Sequence, residues 1–228
     1  VLVAPHCFFD SPHPFGINLF ADVHDWLELL VSLSLKTDYE WYVKTHPDFL
    51  PKTKKLIDDF FKPHTQFTIL PSDSSHKQII SEGINFALTI YGTIGFEYAA
   101  LNIPVINASI NNPHSGYNFN INPSNKVEYE QILMNLNSTN HKIDINQVYE
   151  YYYMKSLNYS SNLFFNDYNL MVEKMGGYRN QFTPEVYKYW IDESSIKKHN
   201  RIIKLVDDFV ESRDYRANWS LQDLTGDL

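Results

Sequence analysis

Short apolar segments alternate with amphipathic ones over the first half of this chain, and that alternation limits what it can fold into. "VLVA" at 1–4 reads as a buried strand. "FADVHDWLELLVSLSL" at 20–35 spaces its apolar residues at three and four, as an amphipathic helix does. "YEWYVKT" at 39–45 is β-branched and aromatic, hence a strand, and His46-Pro47 stops it. The pattern repeats: a helix opening with proline at 51–62, a strand at 66–71, and a helix at 74–83 with a serine start and a glycine stop. A strand at 85–91, a helix at 93–101 and a strand at 104–108 follow. Strands joined by short helices are parallel βαβ units. The expected fold is α/β, a Rossmann-like doubly wound parallel sheet over residues 1–135. Residues 136–228 are expected to form a helical C-terminal extension, because after about residue 127 the strand signals fade. Helical patterns then cover "KVEYEQILMNLN", much of 146–175, and "SSIKKHNRIIKLVDDFVESR".

Composition narrows the function. The formal net charge of −8 over 228 residues argues against binding nucleic acid through its phosphates and against lying on an anionic membrane. It leaves a nucleotide ligand open, since a pocket needs only a few local donors. Cys7 is the single cysteine, so no internal disulfide is possible, which suits a reducing compartment. No apolar run reaches the ~20 residues of a membrane-spanning helix. Asn-x-Ser/Thr triplets at Asn107, Asn137, Asn158 and Asn218 are read as chance in a chain this rich in Asn and Ser. The chain opens on a strand without an initiator Met, so it is expected to be part of a longer protein with a preceding N-terminal portion.

Ligands of doubly wound sheets bind beyond the carboxyl ends of the strands, so polar loops there are the candidate sites. In "YGTIGFE" Gly92 permits a sharp turn, Thr93 is a helix N-cap type and Gly95 removes a side chain near the helix start. Glu97, one turn in, can accept two hydrogen bonds from a ribose diol, or it can be an exposed acid stabilised by the helix dipole. In "VKTHP" Lys44 and His46 share strand parity. His46 could serve a phosphate oxygen, or be a loop residue before proline. "APHCFFDSPH" supplies His6, Asp10, Ser11 and His13; its spacing matches no compact metal-ligand pattern, so polar ligand contacts are expected there and no metal. "NNPHSGYNF" carries His114, Ser115 and Gly116, which either close over the same pocket or form a surface loop.

"WYVKTHP" followed by "ALTIYGTIGFEYAALNIPVI" resembles the donor-binding C-terminal half of GT-B glycosyltransferases, and most closely the bacterial capsule polysaccharide biosynthesis family. More distantly it is similar to bacterial sialyltransferases and poly(glycerol-phosphate) polymerases. The resemblance covers about residues 1–135. It implies transfer of a sugar from a CMP-, UDP- or other NDP-sugar to a growing surface glycan, without metal or further cofactor. It implies a cytoplasmic enzyme, with a peripheral place at the inner face of the membrane allowed, whose acceptor domain and base lie in the N-terminal portion. By the same resemblance Gly92, Thr93 and Gly95 approach the donor phosphates, Glu97 holds the ribose, Lys44 and His46 face the phosphate, and His46 is catalytic. From their loops, Asp10, Ser11 and His114 are expected to add polar contacts to the donor. Two features depart from the pattern. Tyr91-Gly92-Thr93 stands where many relatives carry Ser-Ser or Ser-Thr, and the acidic motif of the sialyltransferases has no counterpart in a matching place. A sugar-nucleotide epimerase and a non-catalytic nucleotide- or glycan-binding module are the rival readings.

Overall fold

A computed structural model describes residues 1–5, 8, 19–46, 51–157, 168–177, 180, 183–193 and 195–213. Five parallel strands form one sheet: β1 (Leu2–Val3), β2 (Trp41–Lys44), β3 (Phe67–Leu70), β4 (Ala87–Thr89) and β5 (Val105–Asn107), in the order β3-β2-β1-β4-β5. The Rossmann-like α/β architecture read from the sequence is therefore present. Each expected strand falls inside its predicted segment and is shorter than it, because the flanking residues already turn towards the helices.

Alternation within the strands divides the core between the two faces of the sheet. Val3, Trp41, Val43, Leu88 and Ile106 pack on one face with Trp26, Leu30, Ile57, Phe61, Tyr129 and Leu133. Those partners lie on α1 (Val23–Ser34), α2 (Pro51–Phe61) and α5 (Lys126–Met134). Leu2, Ala87 and Val105 pack on the other face with Ile79 of α3 (His76–Ser81) and with Ile94 and Tyr98 of α4 (Ile94–Ala100). Both faces are covered, as a parallel sheet requires. The helix starts are capped locally. Asp22 accepts from the Asp25 amide at 2.9 Å, and Asn125 accepts from the Glu128 amide at 3.0 Å. Gly83, at φ +108°, takes the left-handed conformation that lets the chain leave α3.

The chain divides into two compact units, Val1–Tyr149 and Glu150–Leu228. The first runs past the boundary expected at residue 135 for a physical reason. Leu136 and Val148 are buried, the Tyr39 hydroxyl accepts from the Leu136 amide at 3.1 Å, and the Asn118 amide donates to Gln147 Oε1 at 2.7 Å. α6 (Ile145–Tyr152) carries the chain across the division and runs into a π-helical turn at Tyr153–Leu157. The second unit contains α7 (Tyr168–Lys174), α8 (Pro184–Glu193) and α9 (Ile196–Ser212). Met171, Val172 and Val186 form its small core. α8 is not among the elements the periodicity predicts. Among the described residues no helix is long and apolar enough to cross a membrane.

α1 and α5 meet at a fully buried polar contact, in which the Trp26 indole N–H donates to the Tyr129 hydroxyl at 2.8 Å. Tyr129→Phe would leave that N–H buried without its acceptor. It is expected to lower the unfolding free energy by about 1–3 kcal/mol, read as a lower urea midpoint at unchanged m-value. An unchanged midpoint would show that the contact contributes nothing.

Candidate functional site

The order β3-β2-β1-β4-β5 reverses direction between β1 and β4. Chain segments leaving the carboxyl ends of those two strands depart to opposite sides, which opens a crevice. A cavity of about 250 Å³ lies there. Ala4 and Pro5 after β1, Lys44 and His46 at the end of β2, Gly92 and Thr93 after β4, Glu97 of α4 and His76 of α3 all border it. Two larger cavities lie elsewhere. One of about 560 Å³ at the amino edge of the sheet is bordered by Asp38, Glu40 and Glu82, and among the described residues by no Lys, Arg or His side chain. Another of about 540 Å³ is lined by Phe20, Leu27, Ile57 and Phe60. Size does not select the site; the gathering of a lysine, two histidines and a glutamate at the switch point does.

Lys44 is 5% exposed, and its ammonium donates to the Ser72 carbonyl at 2.8 Å. Two of its N–H bonds remain for other acceptors. Burial pushes this amine below its ordinary range, while the carboxylates of Asp73 and Glu97 pull it back up. His76 is half-buried, and its Nδ1 lies 2.9 Å from the Tyr98 hydroxyl, with the two rings edge to face at 5.4 Å. Burial lowers the His76 pKa, the Lys44 charge lowers it further, and Glu97 opposes both. Burial, and then the Glu97 charge, raise the Tyr98 phenol far above its usual value. Glu97 itself is exposed, and it acts electrostatically on all three groups. His46 is exposed at the edge of the same cavity.

The turn between β4 and α4 is built differently from the expectation. Thr93 occupies the cap position, but its backbone is already helical (φ −58°, ψ −23°) and its side chain caps nothing. Thr89 holds the turn instead, its Oγ1 accepting from the Gly92 amide at 3.2 Å. A Cβ on Gly92 would come within 2.9 Å of that oxygen, which is why glycine stands there. The amides of Gly95, Phe96 and Glu97 already donate to the carbonyls of Gly92 and Thr93. The amides of Thr93 and Ile94 have no acceptor among the described residues, and both residues border the cavity.

Gly95 and His114 meet each other rather than the cavity. Residues two apart on a helix point to opposite sides, so Gly95 turns inward where Glu97 turns out. A Cβ on Gly95 would lie 2.6 Å from His114 Cε1. His114 is 1% exposed, with its ring near Phe96 and Phe119 and its amide donating to Asn112 Oδ1 at 2.8 Å. The loop after β5 draws it there by returning alongside that strand, through a bridge between Ile106 and Ile121. The structure thus brings together Lys44, His46, Gly92, Thr93 and Glu97. It places Gly95 and His114 in the packing behind α4. Asp10 and Ser11, like His6 and His13, lie outside the described residues. Sequence reasoning missed His76 and Tyr98. The signal for His76 was available: a helix that follows β3 begins on the carboxyl side of the sheet, and His76 is its first residue. Among the described residues one group, His24, Asp25 and Glu28, has metal-ligand geometry; it is exposed on α1 and does not border the cavity.

No protein-family model matches the chain, and neither does any curated protein or solved structure.

Gly95→Ala drives a methyl group into the His114 ring. It is expected to cost about 1–3 kcal/mol of stability, as overpacking does, and His114→Ala in the same chain should recover part of the loss. Thermal melts of the two single variants and the double variant measure this. Equal melting temperatures for Gly95→Ala and the parent would refute the contact.

Proposed function

We propose that the cavity at the switch point is the donor-nucleotide site of a glycosyltransferase that extends a surface polysaccharide. One observation carries the reading: Lys44 and Glu97, from different elements, border one cavity at the carboxyl edge of the sheet and act electrostatically on each other there. Donors lie at the strand ends, from the Lys44 ammonium, His46 and the amides of Thr93 and Ile94. They suit the oxygens of a phosphate. The carboxylate of Glu97 suits the diol of a ribose. The volume of about 250 Å³ is just below the roughly 300–1,000 Å³ of sites that enclose a drug-sized ligand. It matches the ribose-phosphate portion of a nucleotide sugar, with sugar and acceptor held by other parts of the protein.

In the transfer, the bond between the anomeric carbon and the phosphate oxygen breaks with its electron pair going to that oxygen. A bond forms from the acceptor hydroxyl to the same carbon, and the hydroxyl proton passes to a base contributed from outside this site. Negative charge grows on the leaving phosphate. Lys44 offsets it electrostatically and His46 can hand it a proton, both acting mainly in the transition state. The donor is a CMP-, UDP- or other NDP-sugar, the acceptor is a growing glycan, and the setting is a bacterial cytoplasm at the inner face of the membrane.

Calorimetry with CMP, UDP, GDP and CDP tests the site. At least one nucleotide is expected to bind the parent chain. Glu97→Ala should weaken that binding by roughly 10- to 150-fold, the equivalent of losing a hydrogen bond to a charged group, with its melting temperature unchanged because the side chain is exposed. Four silent titrations, or unchanged affinity with a lowered melting temperature, would count against the reading.

A further inference from the structure

We propose that His76 is a ligand-facing hydrogen-bond donor of this cavity, held by Tyr98 as a neutral imidazole with its proton on Nε2. The proposal rests on the donor-site reading above and adds a residue and a tautomer to it.

Tyr98 is 1% exposed, and a buried hydroxyl needs an acceptor. Among the described residues the one it meets is His76 Nδ1, at 2.9 Å. Burial and the Glu97 carboxylate both keep the phenol protonated, and His76 Nδ1 is the one acceptor its O–H meets among the described residues, so we assign the O–H as donor and Nδ1 as acceptor. A neutral imidazole that accepts at Nδ1 carries its hydrogen at Nε2. An imidazolium would instead present an N–H to the phenol oxygen and force the hydroxyl proton to turn away, where no described residue accepts it. Lys44 and burial favour the neutral ring as well, and Glu97, which also faces it, is the single charge pulling the other way.

With Nδ1 occupied by Tyr98, the nitrogen left for the cavity is Nε2, and it has no partner among the described residues. His76 borders the same cavity as Lys44 and Glu97. A fixed N–H next to an ammonium fits a phosphoryl oxygen. A neutral donor adds a directed bond there without placing another full positive charge against Lys44. Tyr98 touches no ligand in this scheme; it is a positioning residue that sets the tautomer.

Two amide substitutions separate this role from mere packing. Glutamine places its amide nitrogen near the position of Nε2 and keeps a donor in the cavity; asparagine reaches only the position of Nδ1 and keeps the Tyr98 contact alone. Titrate the parent, His76→Gln and His76→Asn with CMP, UDP, GDP and CDP, and with the parent nucleoside of whichever nucleotide binds. His76→Asn should lose about 10-fold or more in nucleotide affinity, His76→Gln should keep most of it, and the nucleoside should bind all three alike. Nitrogen-15 NMR of the histidine rings should show the Nε2–H tautomer in the parent. In Tyr98→Phe the two tautomers should mix, and the His76 pKa should rise towards its ordinary value, because the lost bond favoured the neutral ring. An Nδ1–H tautomer in the parent, or equal nucleotide affinity in His76→Asn and the parent, would overturn the role of His76 while leaving the donor site standing. No binding of any of the four nucleotides by the parent would overturn the site and this role together.

Discussion

β1 is two residues long, and the sheet turns on it. The Leu2 amide donates to the Phe86 carbonyl and the Ala4 amide to the Leu88 carbonyl, both at 2.9 Å, while on the other side the Tyr42 amide donates to the Val1 carbonyl at 2.9 Å. Leu2 and Val3 are completely buried, one against each face of the sheet. A strand in that position has to be apolar at every residue and cannot carry chemistry itself. It creates the place for chemistry: β2 and β3 are laid down on one side of it, β4 and β5 on the other, and the gap between the departing segments is the cavity. The polar side chains that border the cavity come from other parts of the fold because the central strand's own side chains are committed to the two cores.

The electrostatics of the cavity run against those of the whole chain. A net charge of −8 would repel an anionic ligand at long range. Within a Debye length of roughly 10 Å, however, local groups dominate. Lys44 shows how a buried amine is kept useful: burial disfavours its charge, and Glu97 and Asp73 restore part of it. Glu97 also bears on His76 and Tyr98, so a single exposed carboxylate is coupled to three side chains on three elements.

The strands and most helices could be read from the sequence because their periodicity is imposed by burial, and burial is what the apolar pattern records. Lys44, Gly92 and Glu97 could be placed at strand ends for the same reason. What stayed hidden is what depends on distance in space. His76 lies far along the chain from both Lys44 and Glu97, and nothing local marks it as more than the first residue of a serine-capped helix. Tyr98 reads as an ordinary inward helix residue, and it is one, apart from its hydroxyl. Gly95 shows an ambiguity no single sequence resolves: a missing side chain can admit a ligand or a neighbouring ring, and here the neighbour is His114. Thr89 and Thr93 are both plausible turn-holders by residue type, and only the geometry of the turn chooses Thr89.

The proposed ligand enters at the carboxyl edge, at the reversal between β1 and β4, although a larger cavity lies at the amino edge. Amide NMR of the parent chain during titration with the binding nucleotide tests this most directly. Shifts are expected to concentrate at Ala4, at 44–46, at 72–76 and at 92–98. Shifts confined to 38–42 and 82–86, around the larger cavity, would contradict the account and move the site to the opposite edge of the sheet.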